Sequence, residues 1–176
     1  AFLLSLCARL FLMPSLGFGD LAAVVLTPLA WQLQEWAYHY RNFHGNDGKS
    51  HFPFGYHNHH HDLPYYHVAM EPTSVIFGYV ASVTSLALTT TMLLGEEAVG
   101  IIACTTHATF LLCSIHYLWV HYLAHSKVPL KGELQEARMH HIHHHLDHEV
   151  NLNMASHTID QWIGTVPDKG GEKKQI

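Results

Sequence analysis

The sequence predicts an all-α integral membrane bundle of about four transmembrane helices, with a histidine-rich helical cap on the inner side of the membrane. Three observations predict it. Only 13% of the 176 residues are charged while 48% are hydrophobic, where a soluble domain averages roughly 25% charged. No Asp, Glu, Lys or Arg occurs between Glu71 and Glu96 or from Ala98 to Ser126. The chain also holds 19 histidines, which add hydrogen-bonding and metal-binding groups without permanent charge at neutral pH.

The same arithmetic excludes several classes. Net charge is −5, from 9 Lys+Arg against 14 Asp+Glu, so a polybasic nucleic-acid binder is not expected. The apolar content argues against disorder. Cys7, Cys104 and Cys113 lie in apolar runs without a CxxC pair, which argues against a disulfide framework and a thiolate zinc finger. The length predicts one domain over residues 1–176.

The first span, about residues 1–13, is apolar apart from Arg9 and is followed by the turn Pro14-Ser15-Leu16-Gly17. No A-x-A-like cleavage site follows, so it reads as part of a span rather than as a signal peptide. Arg9 is expected to snorkel or to pair inside the bundle. The second span, about 21–40, is apolar at its start, amphipathic after Trp31, and kinked at Pro28. The third and fourth, about 74–94 and 98–124, are long enough to cross a bilayer core, which needs about 20 apolar residues. Gly95-Glu96-Glu97 joins them as an antiparallel hairpin. Buried helices of a soluble bundle would each need a polar face, and neither stretch has a charged one.

The cap comprises residues 41–70 and 125–166. Arg41, Lys49, Lys127, Lys131 and Arg138 follow the second and fourth spans, whereas the opposite loops carry Asp20, Glu96 and Glu97. The positive-inside tendency then places the cap on the cytosolic, matrix or stromal side.

Most histidines fall in that cap, in four groups: His39 and His44; His57, His60 and His61; His121 and His125; and His141, His144 and His145. Residues at i, i+3 and i+4 share a helix face, so each of the last three groups projects its rings together. His39 and His44 stand about 140° apart on an α-helix and converge only if the helix unwinds after Arg41. The pattern HxxHH recurs in two internal segments, which a terminal expression tag would not do. The expected metal ligands are therefore His39, His44, His57, His60, His61, His121, His125, His141, His144 and His145. No side-chain nucleophile is expected beyond them. Imidazole suits Fe, Cu, Ni or Zn, whereas Ca²⁺ and Mg²⁺ want oxygen ligands. So many imidazoles exceed the needs of closed zinc tetrahedra and favour two Fe ions, with Zn as a substitute in purified protein. Asp62, Asp147 and Asn151 are candidates for fixing the imidazole tautomers. His59, His140, His143 and His148 are expected in outer or surface roles.

The order and spacing of these groups resembles the fatty acid hydroxylase/sterol desaturase superfamily, closest to its fatty acid 2-hydroxylase branch. Glu35 before the first group, the HHxxP step His60-His61-Asp62-Leu63-Pro64, and Ile159-Asp160-Gln161-Trp162-Ile163-Gly164-Thr165 after the last are similar to family features. The resemblance covers about residues 31–167. It implies O₂-dependent hydroxylation or desaturation of a C–H bond in a membrane lipid, at a di-iron centre held by the ten histidines. Hydroxylases of this kind often carry an attached cytochrome b5 domain, and none is read in these residues. The resemblance therefore implies an external electron donor such as cytochrome b5 or ferredoxin. Endoplasmic reticulum is the family expectation for location, with another organelle membrane as the alternative. Three other readings stand beside this one. They are an accessory structural subunit of a larger membrane complex, a carotenoid hydroxylase, and a zinc hydrolase, the last lacking an HExxH motif.

Overall fold

A computed structural model of the chain describes residues 2–12, 16–45, 55–65, a few positions between 80 and 93, 104–154 and 156–167. Every regular element among them is helical: α1 (Phe2–Leu12), α2 (Phe18–Tyr38), a π-helix (His39–Phe43) continuing α2, α3 (Tyr56–Asp62), α4 (His107–His125), α5 (Glu133–Leu146) and α6 (Thr158–Ile163). The all-α expectation is met, but the integral membrane bundle is not. Among the described residues no helix is long and apolar enough to cross a membrane.

The physical reason differs by helix. The 11 residues of α1 rise about 17 Å, against a hydrocarbon core of about 30 Å. The 21 residues of α2 would reach, but Asp20 stands near its start and Gln32, Gln34 and Glu35 occupy its second half. In α4, 19 residues long, His107, His116, His121 and His125 interrupt the apolar run. A stretch without formal charge is thus not an apolar stretch, because neutral imidazoles and amides escape a count of charges. The 74–94 span lies largely outside the described residues, as do residues 98–103 of the fourth. Placing the cap on a cytosolic, matrix or stromal side of a membrane loses its basis with the spans.

The chain forms two compact units, Ala1–Trp31 with Met70–His116, and Gln32–Ala69 with Tyr117–Ile176. In the first, Arg9 is buried and forms an ion pair with Asp20. Its Nε donates to Asp20 Oδ1 at 2.7 Å, and the same carboxylate accepts from the Gly17 amide at 2.9 Å and from Thr105 Oγ1 at 2.5 Å. Arg9 therefore pairs, one of its two expected fates. Hydrogen bonding to Arg9 holds the Asp20 carboxyl well below the usual carboxylate range. Nearby, Trp31 Nε1 donates to Ser114 Oγ at 3.1 Å, and Thr84 Oγ1 lies 3.3 Å from His107 Nε2.

The second unit is built on a small apolar core of Val120 and Ala124 from α4, Ala137 from α5, and Met154, with Tyr117 and Leu134 against it. Arg138 of α5 secures the end of α4. Its guanidinium donates to the last-turn carbonyl of Leu123 at 2.8 Å, a group that a helix terminus leaves without an intrahelical i+4 partner, and to the carbonyls of Ser126 at 3.1 Å and Val128 at 2.8 Å just beyond the helix. Gly164 ends α6 at φ +89°, and its amide donates to Asp160 O at 2.8 Å. A left-handed residue there suits glycine. The result is a platform in which the π-helix, α3, α4 and α5 all turn histidines inward.

Candidate metal centre

The ten predicted histidines come together in this second unit. His39, His44, His57, His61 and His144 each offer a ring nitrogen, all within 4.8 Å of one another; His60, His121, His125 and His141 do the same in a second group. His145 is the tenth. Its Nε2 lies 3.0 Å from His141 Nε2, and its ring lies 4.8 Å from that of His60 and 4.3 Å from that of His61, so it touches members of both groups.

Each HxxHH segment feeds both groups, which the sequence did not reveal. On α3, His57 and His61 join the five-histidine group and His60 the other; on α5, His144 joins the first and His141 the second. The positions at i and i+4 on α3 meet directly, with Nε2 atoms 3.0 Å apart.

His39 and His44 converge by a route the sequence did not announce. The helix does not unwind between them but widens into a π-helix, in which the His44 amide donates to His39 O at 3.2 Å. A turn closed at i+5 superposes residues five apart, and the two rings stack at 5.0 Å and 18°.

The chemistry of the donor set fits a metal ion. His39 Nδ1 lies 2.5 Å from Leu152 O and His144 Nδ1 2.9 Å from Val150 O. A carbonyl can only accept, so these neutral rings carry their proton on Nδ1 and leave the Nε2 lone pair free. His39 Nε2 is buried and finds no hydrogen-bond partner among the described residues. Nε2 atoms face each other at 3.0 Å between His44 and His144, 3.4 Å between His44 and His57, 3.1 Å between His60 and His121, and 2.8 Å between His125 and His141. A cation bonded to nitrogen at about 2.0–2.1 Å holds adjacent ligands about 3 Å apart at right angles. Hydrogen bonds can satisfy such contacts one pair at a time, but not a group of converging lone pairs.

Electrostatics favour the neutral, ligating form throughout. Burial, reinforced by neighbouring imidazoles, pushes His39, His57, His61, His121, His141 and His144 well below the ordinary histidine value. Burial also lowers His44 to about 4 and His125 and His145 to about 3. Buried histidine groups at metal-binding separation are therefore present. Which metal they take, and how many ions, belongs to the functional reading below.

The outer partners differ from those expected. Asp62 is exposed, and Asp147 is an exposed residue accepting from the Glu149 amide at 3.2 Å. Asn151 is buried, yet its Nδ2 donates to the backbone carbonyl of His140 at 3.1 Å rather than meeting an imidazole. Backbone carbonyls orient the rings of His39 and His144 instead. The loop that carries them is held by Asp160, by Glu35 Oε1 accepting from the Met154 amide at 2.5 Å, and by Asn153 Nδ2 donating to Gln32 O at 2.9 Å. His140, expected in an outer role, is buried, lies 3.1 Å from Asp160 Oδ2, and stacks on His157 at 3.9 Å. His148 is exposed but its ring lies 4.3 Å from that of His61. His59, His116 and His143 are exposed, and His51 and His67 fall outside the described residues. The only advance signal for the Asp160 arrangement was the position of Asp160 and Glu35 flanking the histidine groups in the sequence.

Compared with family models, curated proteins and solved structures, the chain matches none.

Proposed function

We propose that the two histidine groups hold a pair of iron ions and that the protein oxidises an unactivated C–H bond of a lipid with O₂, taking electrons from a separate donor. The observation that carries this reading is the convergence of imidazoles from four segments into two adjoining buried groups. Five converging imidazoles exceed the four positions of a structural zinc site, and an imidazole set suits iron. The order of the groups, which resembles the fatty acid hydroxylase/sterol desaturase superfamily, supports lipid oxidation over other iron chemistry.

When bound, the iron pair supplies the binding and reduction of O₂. The chain's own part is to present lone pairs and to exclude water. The Leu152 and Val150 carbonyls keep the protons of His39 and His144 on Nδ1, so both rings turn Nε2 inward. His57, His60, His121 and His141 are buried away from water. His61 and His145 are half-buried with exposed His148 beside them, and in this reading substrate approaches past these three rings.

The test is elemental analysis of the full chain expressed with iron, combined with O₂ uptake and product analysis in the presence of a reductant and a lipid. The reading expects about two iron ions per chain and a hydroxylated or desaturated product; His144→Ala or His60→Ala should each abolish the product and remove about one ion. Zinc retained against iron, with no O₂ uptake by iron-loaded protein, would overturn it.

A further inference from the structure

We propose that Asp160 is a positioning residue for the five-histidine group, acting through the loop of residues 150–154 and leaving the four-histidine group unaffected. The inference rests on reading both groups as metal sites.

Asp160 is fully buried, and its two oxygens meet four donors. Oδ1 accepts from the Leu152 amide at 2.9 Å and from Thr165 Oγ1 at 2.7 Å. Oδ2 accepts from the Asn153 amide at 2.9 Å and from His140 Nε2 at 3.1 Å. The loop gains two further ties through Asn151, whose backbone is left-handed at φ +53°. The Asn151 amide donates to Thr165 O at 2.7 Å, and its side chain donates to His140 O.

These bonds fix where two carbonyls point. Val150 O and Leu152 O accept the Nδ1 protons of His144 and His39, and both rings belong to the five-histidine group. In the other group Nε2 atoms also meet one another, His121 with His60 and His125 with His141, but the buried Nδ1 of His121 has no hydrogen-bond partner among the described residues. One carboxylate thus acts on ring orientation in the five-histidine group through two backbone carbonyls.

Asp160→Asn keeps the shape but turns one acceptor oxygen into an NH₂, which must then face an amide or hydroxyl donor. The loop has to shift, and His39 and His144 lose their fixed tautomers. Losing an outer partner of this kind typically lowers metal affinity about 10–100-fold.

The experiment is a Co²⁺ titration of the full chain against a competing chelator, followed by the visible absorption of bound cobalt. Wild type should show two binding steps, and His44→Ala identifies the step belonging to the five-histidine group. Asp160→Asn should weaken that step about 10–100-fold, alter its cobalt spectrum, and leave the other step near wild type. His140→Gln, which retains an N–H donor for Oδ2, should keep both steps. If Asp160→Asn does not fold, Asn151→Gly removes a loop tie while allowing the same backbone, and the same selective loss is expected. Equal weakening of both steps, or of neither, overturns the proposal. A wild-type chain that takes up no cobalt overturns the two-site reading itself, a result distinct from an unselective variant.

Discussion

Leu152 O and Val150 O decide which nitrogens of His39 and His144 are free, so the chemistry of the centre begins with two backbone carbonyls. The ordinary carboxylate candidates are elsewhere: Asp62 is exposed, and Asp147 closes its own turn. Asp62→Ala and Asp147→Ala should therefore leave metal content unchanged in elemental analysis, whereas His144→Ala should remove about one ion per chain. The depressed histidines also set a pH dependence. His44, lowered to about 4, and His125 and His145, lowered to about 3, stay neutral in the fold while the unfolded chain protonates near 6.5. Between those values the unfolded state binds more protons, so stability rises with pH. The melting temperature of metal-free protein should be flat above about pH 7.5 and should fall steadily from about 6.5 to 4. A melting temperature that rises on acidification through this window would contradict the assignment.

At the scale of elements, the π-helix is what makes a five-residue histidine spacing usable. Inserting one Ala after Asn42 turns His44 by about 100° around the axis. The expected outcome is a loss of about one metal ion per chain with little change in far-ultraviolet circular dichroism. Unaltered metal content would show that the widened turn does not matter. Arg138 acts on a different element, holding one carbonyl in the last turn of α4 and two in the residues just after it. Hydrogen bonds to charged groups contribute about 1.5–3 kcal/mol, so Arg138→Met should destabilise by about 2 kcal/mol in denaturant titrations. The histidine faces of α3, α4 and α5 were legible because helical periodicity depends on local sequence. The π-helix was not, because one extra residue in a turn leaves no mark in the pattern of apolar positions.

For the molecule as a whole, the sequence correctly announces helices and the set of histidines that gather, and it offers the pairing of Arg9 as one of two alternatives. It misleads on the setting, because residues free of formal charge still include Gln32, Gln34, His107 and His116, which break apolar runs that a membrane helix requires. The Asp160 arrangement stayed hidden for another reason: it works through backbone amides and carbonyls, which carry no side-chain signature, and it reaches His39 from Leu152 only by tertiary packing. In the first unit, removing one member of a buried ion pair leaves the other uncompensated, at a cost of about 3–5 kcal/mol. Asp20→Asn should lower stability by about that much in calorimetry, while replacing Arg9 and Asp20 together with Met and Leu should cost far less. Equal losses from the single and double changes would show that the pair matters only through its shape.

The division of each HxxHH segment between the two histidine groups has a geometric consequence. His60 and His61 are joined by a single peptide bond yet belong to different histidine groups, and His141 and His144, also of different groups, sit one helical turn apart on the same rod. Covalent structure therefore acts as a ruler, fixing the separation of the two groups to within the play of a side chain. Neither can be dilated or translated without straining its twin, so redesign of one pocket for a larger ion would be felt immediately in the other.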